Sequence, residues 1–462
     1  MLSVLFIFVL LGCQPALLRG RLPLEDEGEA FLYVDPFPQE AERLRFKVEM
    51  ISAVAEGGRE IPLSLVLKEL KPSEMRRQRL VASGILPTGR YIGFSFKVNK
   101  AILKVEDGEA DLLVPETPVR IEFPFNVSKK RGYIFSLTFK YSESISGGFS
   151  FSPVFSITVP AKPIRSFLGY VTNQGSNNIT VFDKRYGRVV GVIPTRRGPS
   201  GMALDQRLGR TYVASSGDDL IEIIDILSGE VIDRIKLHVG DRPWELAITP
   251  DGKYLLVVNK GSNTVSFIEI FSMLEVNRVN VGNGANSILI HPNGIRAFVF
   301  NSLSNTLSVL DISNKALVTT LTIDSGPLRG QFNRRGDRLY VIYERSPYVT
   351  ILDPRTLSVL KRFSVRTGMR SIKVDTGTDL VYMGKGNDIL VEVYDPSSFV
   401  SVDSIQTGGS IIYMTIDGEE KNIYFLNSDR KSLMVSNLVR KKIVTEMDVG
   451  EDPYWVVVMG ER

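Results

Sequence analysis

The chain has 462 residues, several times the roughly 100–200 of one ordinary domain, so several folding units or one long repeat array is expected before any motif is read. Its 43% hydrophobic and 23% charged residues are a globular composition, which argues against a disordered, coiled-coil or polytopic membrane chain. Lys+Arg 56 against Asp+Glu 52 leaves only +4, little field to steer nucleic acid, while one Cys and two His argue against disulfides, CxxCH haem attachment and imidazole- or thiolate-built metal sites.

Leu2 to Leu11 form an almost unbroken apolar run, shorter than the ~20 residues that cross a bilayer, followed by Gly12, Cys13, Gln14 and the helix-stopping Pro15. Leu10-Leu11-Gly12-Cys13 resembles a bacterial lipobox. The resemblance implies cleavage after Gly12, diacylation of the Cys13 sulfur and a chain tethered to a membrane by lipid, with its folded domains outside the cytoplasm. Residues 1–12 are thus read as a lipoprotein signal peptide and 13–21 as the tether. Met1-Leu2-Ser3 departs from the pattern in carrying no Lys or Arg, and an ordinary signal peptide or an uncleaved anchor are the alternatives. The absence of Asp after Cys13 resembles the outer-membrane sorting pattern of double-membrane bacteria, which implies the outer membrane or the periplasmic face.

Residues 22–165 are expected to form an antiparallel β-sandwich. Leu44, Phe46, Val48 and Met50 alternate with Arg45, Lys47 and Glu49, the pattern of a half-buried strand. Phe94 to Val98, Phe135 to Tyr141 and Phe149 to Ile157 alternate likewise, separated by Pro87-Thr88-Gly89, Asp107-Gly108 and Gly147-Gly148. One helical turn after Ser73 is allowed, limited by Pro72. Leu86-Pro87-Thr88-Gly89-Arg90-Tyr91, Leu113-Val114-Pro115 and Phe151-Ser152-Pro153-Val154 together resemble an uncharacterised sandwich domain that follows the lipobox in bacterial lipoproteins, a resemblance that carries no known activity. The basic clusters Arg76-Arg77-Gln78-Arg79 and Lys129-Lys130-Arg131 are read as solvated loops, with contact to anionic headgroups as the alternative.

From residue 166 to 462 the sequence repeats. An apolar run ending in an acid or Asn recurs at Asp183, Asp225, Glu269, Asp311, Asp353, Asp395 and Asn437, spaced by 42, 44, 42, 42, 42 and 42 residues. Thirteen residues before each stands a second strand start: Tyr170, Tyr212, Leu256, Phe298, Tyr340, Tyr382 and Tyr424. Units of this length with four short strands and no helical periodicity predict a seven-bladed β-propeller, and the chain as a whole is expected to be all-β. Tyr170-Val171-Thr172-Asn173, with Thr249-Pro250-Asp251-Gly252-Lys253 and Asn259, resembles the YVTN β-propeller repeat family. Nothing suitable for an innermost strand precedes Tyr170. Its missing copy is Trp455-Val456-Val457-Val458, so this C-terminal strand is expected to complete the first blade and close the ring.

Aligned inner strands separate two faces. Met202/Leu204, Leu246/Ile248, Ile288/Ile290, Gly330/Phe332, Ile372/Val374, Met414/Ile416 and Val456/Val458 are expected between blades. The other parity collects Glu245, Ser287, Arg329, Gln331, Ser371, Lys373, Tyr413, Thr415 and Trp455. Because unpaired buried charge is expensive, this parity is placed on a water-filled channel, with Glu245, Arg329, Tyr413 and Trp455 as one layer near a mouth. Trp244 and Arg370 are expected beside it, and the two extra residues of the 44-residue unit lie in the loop at Asp241-Arg242, leading into the Glu245 strand. Two readings follow: the layer binds a ligand, the Arg taking an anionic group, or its members satisfy each other and fill the channel.

No P-loop, GxSxG, HExxH or EF-hand pattern is present, and His291, in His-Pro-Asn-Gly, reads as a turn residue. Propellers of related architecture include a haem-containing nitrite reductase domain, whose usual haem c module a lone Cys13 cannot supply, and sugar lactonases, whose acid–base role only Glu245 could take. The expected protein has no cofactor, metal site or catalytic residue. It is a lipid-anchored envelope protein, with the sandwich as spacer, recognising another envelope protein or a small anionic ligand through the propeller; a hydrolase, lactonase or lyase using the channel is the alternative.

Overall fold

Each repeat supplies four runs rich in β-branched and aromatic residues, each ended by a polar or glycine turn before a helix could nucleate. They fold as antiparallel four-stranded sheets, seven in succession from Leu168 to Val458. The computed structural model describes residues 21–106 and 108–461, so Cys13 and the signal peptide expected over residues 1–12 lie outside the described residues. The recurring acid explains itself locally. Asp183, Asp225, Asp311, Asp353 and Asp395 each accept a backbone N–H two or three residues ahead at 2.7–3.0 Å, closing the turn into the outermost strand, and Asn437 does the same. The Tyr of each second strand is its core anchor: Tyr170, Tyr212, Tyr340, Tyr382 and Tyr424 are at most 1% exposed.

The ring closes as the strand count requires. Pro453–Val458 pairs antiparallel with Leu168–Asn173, Val458 opposite Gly169 and Trp455 opposite Thr172, and forms the innermost strand of the first blade. A second tie crosses the same seam. The Lys184 ammonium, fully buried, bonds the Asp417 carboxylate of the seventh blade and the Met459 carbonyl.

The sandwich has two sheets around a core of Phe46, Phe94, Phe96, Phe135, Phe139, Phe151 and Phe155. Three expectations need correction. It is not purely antiparallel, because Glu27–Val34 inserts between Arg79–Pro87 and Gly132–Phe139 and runs parallel to the latter. That strand escaped the alternation test because nearly all of it is buried: Ala30, Leu32 and Val34 face the sandwich core while Phe31 and Tyr33 face the propeller. The run Phe149 to Ile157 is not one strand. It breaks into Ser150–Phe151 and Phe155–Thr158 around Pro153, which has no N–H for a ladder, and Phe149 is exposed. The single turn allowed after Ser73 begins earlier, at Lys71, whose carbonyl accepts the Glu74 and Met75 N–H at 3.0 and 3.1 Å, with Met75 buried in the core.

The sandwich is also more than a spacer. Phe31, Tyr33, Leu80 and Ile134 share one apolar cluster with Val189 and Val192 of the first blade and Leu433, Val435 and Met447 of the seventh. The cluster Arg76-Arg77-Gln78-Arg79 is neither a solvated loop nor a headgroup contact. Arg77 and Arg79 grip the two oxygens of Asp448 at 2.7 and 2.9 Å, and the Leu80 N–H adds a third bond at 2.9 Å. The Gln78 side-chain carbonyl accepts the Val189 N–H at 2.9 Å. In the second cluster, Lys129, Lys130 and Arg131 pair with Asp26, Glu25 and Glu230.

Candidate functional site

The inner strands share a local irregularity that builds the site. In the blades of Pro243, Ala285, Pro327, Met369 and Ile411, and in the closing strand, one residue is skipped in the pairing at the strand's start: Trp244, Asn286, Leu328, Arg370, Ile412 and Tyr454. A bulge breaks strict alternation and re-aims its side chain. So Tyr454 and Trp455 both join the axial cluster although they are neighbours in sequence, and Trp244 and Glu245 do likewise on the third blade. Gly201 is needed opposite them, since a Cβ there would stand 2.7 Å from the Trp244 carbonyl and 2.8 Å from the Glu245 Cα.

The four residues expected in one layer do meet. Arg329 Nη2 donates to Glu245 Oε1 at 2.8 Å, and the Tyr454 hydroxyl donates to the same oxygen at 3.0 Å. The guanidinium lies 5.0 and 5.3 Å from the ring centres of Tyr413 and Trp455, and those rings stack with centroids 3.9 Å apart. Trp244 meets Tyr454 edge-on at 5.0 Å, with the Lys260 ammonium 4.0 Å above the indole. Burial alone would lower the Arg329 guanidinium; the Glu245 charge, helped by Tyr454 and Tyr413, outweighs it and holds the guanidinium above the usual arginine value. Burial raises the Tyr413 and Tyr454 hydroxyls well above an ordinary phenol.

This corrects the expectation of an open channel at this level. Glu245 is 1% and Arg329 8% exposed, so the charges lie in a filled axis and neutralise each other. The polar parity was right because both charges face the axis. Its solvent exposure was not, because Tyr413, Tyr454 and Trp455 are large enough to cover the pair. These rings and Trp244 remain half-buried, forming the aromatic rim. Three buried polar atoms of the cluster have no hydrogen-bond partner among the described residues: Trp244 Nε1, Glu245 Oε2 and Arg329 Nε.

The remaining expected contacts separate. Ser371 is buried and its hydroxyl donates to the Ile411 carbonyl at 2.7 Å, tying adjacent inner strands. Gln331 is half-buried one layer deeper. Lys373, also deeper, pairs with Glu461 at 3.2 Å, and Thr415 bonds the same carboxylate. Arg370 leaves the axis, paired at the surface with Glu344 at 2.8 Å. In the inserted loop, Arg278 holds both oxygens of Asp241 at 2.7 and 2.8 Å, fixing the entry to the Glu245 strand. His291 is the turn residue expected, its Nε2 at 2.8 Å from the Gly336 carbonyl. Sequence reasoning missed Tyr454 and Glu461. The first is hidden by the bulge; the second follows the last strand, beyond any repeat alignment. Among the described residues no cluster of three or more His, Cys, Asp or Glu is placed to hold a metal ion.

No family model matches the chain, and no curated protein matches it. Solved structures do. Hydrazine synthase of Kuenenia stuttgartiensis is similar at 20% identity and a TM-score of 0.53, over 59% of this chain and 93% of that one. A functionally unknown protein from Desulfotomaculum acetoxidans DSM 771 is similar at 17% identity and 0.56, over 63% and 98%. Dihydro-heme d1 dehydrogenase NirN in complex with DHE is similar at 12% identity and 0.52, over 65% and 77%. At these identities the likeness is one of fold, and this chain is an all-β protein with a β-propeller.

Proposed function

We propose that this is a non-catalytic binding or scaffolding protein of the bacterial cell envelope, lipid-tethered through Cys13 and of the YVTN propeller type, whose ligand or partner meets the aromatic rim of the propeller axis. The observation that carries the reading is the pre-assembled cluster. Trp244, Tyr413, Tyr454 and Trp455 are fixed around a neutralised Arg329–Glu245 pair, with two donors and one acceptor unpartnered beneath them. Since Glu245 already balances Arg329, a neutral ring bearing hydroxyl groups, or a partner loop presenting one, suits the rim better than a small anion. A sugar ring offers the apolar face that stacks on the half-buried Trp and Tyr rings, with its hydroxyls turned to solvent and to the Lys260 ammonium beside Trp244. A catalytic Glu245 fits less well, because Arg329 and Tyr454 occupy one of its oxygens.

Both tryptophans of the chain belong to this cluster, so intrinsic tryptophan fluorescence reports on it alone. Titrating the full chain with soluble N-acetylglucosamine oligosaccharides should give a saturable fluorescence change that Trp455→Ala removes while the variant stays folded, at a lower melting temperature because the stacked ring is lost. No change with any neutral glycan fragment rejects the sugar reading, and turnover of a lactone lost with Glu245→Gln would favour the enzyme. For the tether, Cys13→Ser should abolish lipid labelling and release the chain from membranes; retention would favour an uncleaved anchor.

A further inference from the structure

Between the sandwich and the first two blades lies a cavity of about 430 Å³, away from the axis. It falls within the ~300–1,000 Å³ of small-molecule sites and is roughly three times a ~150 Å³ cavity that takes a benzene. Its lining is more apolar than polar, with Ile134 and Val159 on the sandwich side, Val190, Val192 and Ile193 on the first blade and Val231 on the second. Gly132 closes one edge, since a Cβ there would stand 2.5 Å from the Val192 carbonyl, so the two domains touch backbone to backbone beside the opening.

The charged groups around it are unequal. Arg131 pairs with Glu230, Arg234 with Glu222 at 3.1 Å, and Lys130 and Lys129 with Glu25 and Asp26 at 3.2 and 3.8 Å. Lys162 differs. Its ammonium donates to the Ser228 carbonyl at 2.6 Å, and no carboxylate among the described residues lies within ion-pair distance. It stands 3.1 Å from where a Cβ on Gly229 would be, and Ile193 Cδ1 lies 3.6 Å from the same point. Partial burial holds it below the usual lysine value although Glu230 and Asp225 pull the other way. A cation at the lip of an apolar cleft, with a carbonyl as its only partner, is half of an ion pair.

We propose that this interdomain cleft is a second binding site, independent of the aromatic rim, for an anionic amphiphile: an alkyl chain in the cleft and a carboxylate or phosphate head on Lys162. Scaled from the benzene cavity, six carbons in ~150 Å³, the volume has room for up to about 17 carbons, so a twelve-carbon chain fits. Lys129 and Lys130, exposed and paired at the longer distances, are the groups a doubly charged head would add.

The test is calorimetric titration of the full chain, purified without detergent, with dodecanoate, dodecyl phosphate, dodecyltrimethylammonium and inorganic phosphate. Both anionic amphiphiles should bind at one site, and the tighter of the two identifies the head. Lys162→Met should weaken them about ten- to a hundredfold, the value of a hydrogen bond to a charged group, and Val231→Trp should fill the cleft and abolish binding. Lys162→Met should leave the fluorescence of the rim tryptophans unchanged. Equal binding of the cationic amphiphile, tight binding of inorganic phosphate, or unchanged affinity in Lys162→Met would each overturn the proposal. If Val231→Trp does not fold, the Lys162 variant and the choice of head decide alone.

Discussion

Removing one member of the axial ion pair separates a plug from a receptor. Glu245 and Arg329 have side chains 1% and 9% exposed and stand 2.8 Å apart. Arg329→Met leaves the Glu245 carboxylate buried with the Tyr454 hydroxyl as its remaining partner, a loss of about 3–5 kcal/mol for a broken buried pair. At about 2–4 °C per kcal/mol that is a fall in melting temperature of roughly 6–20 °C, toward the low end in so long a chain. Glu245→Gln alone should cost a similar amount. The double variant Glu245→Gln with Arg329→Met removes both charges and keeps similar volumes, so it should recover most of the loss. Urea unfolding of the four proteins, read as midpoint and slope, measures this coupling. Additive losses in the double variant, or a single variant that melts like the parent, would refute the claim that the two charges neutralise each other in the axis.

Deleting Tyr454 to Arg462 should open the ring, since Val456, Val457, Val458 and Met459 are all buried; at about 1.5–3 kcal/mol each the loss is at least roughly 6 kcal/mol, and a truncated protein that melts like the parent would refute closure. Asp448→Ala should cost about 3 kcal/mol and expose residues 159–164 between the domains to limited proteolysis, because it strips Arg77, Arg79 and the Leu80 N–H of their shared partner. Burial raises the Glu29 carboxyl above its usual value against the pull of Arg21, so its contribution to stability is complete below the unfolded carboxylate range and is lost as pH rises through its folded value. Glu29→Gln should therefore be more stable than the parent at pH 7, by a margin that vanishes near pH 4 in melting curves taken across that window.

The blades were legible because the groups that define them act locally. An Asp that closes its own turn and a Tyr that fills its own sheet must recur at fixed intervals, and the spacing carries the topology without any knowledge of contacts. Glu27–Val34 was not legible for the opposite reason: a strand buried on both faces has no polar side to mark its period. The grouping of Glu245, Arg329, Tyr413 and Trp455 followed from strand parity, whereas the choice between an open channel and a filled axis did not, because parity gives direction and not the space left when seven inner strands converge. Tyr454 was hidden by a bulge, a one-residue event in the pairing that leaves no trace in alternation. Arg77 and Arg79 read as part of a solvated loop, since their partnership with Asp448 exists only once two separately folded layers meet.

Asn173 and Pro453 face each other across the closing pair although 280 positions separate them. In a chain emerging at about 5–20 residues per second, the edge of Leu168–Asn173 waits for its partner for tens of seconds. The sandwich is complete by then and can cover the outer strand of the first blade, but it cannot reach this inner edge. The closing strand meanwhile hangs on the short link 449–452, so it can pair with the same edge in a neighbouring molecule as readily as in its own when copies are crowded. Closure of the ring is thus a race between intramolecular return and exchange, and strand-swapped dimers are the by-product to be expected whenever this protein refolds at high concentration.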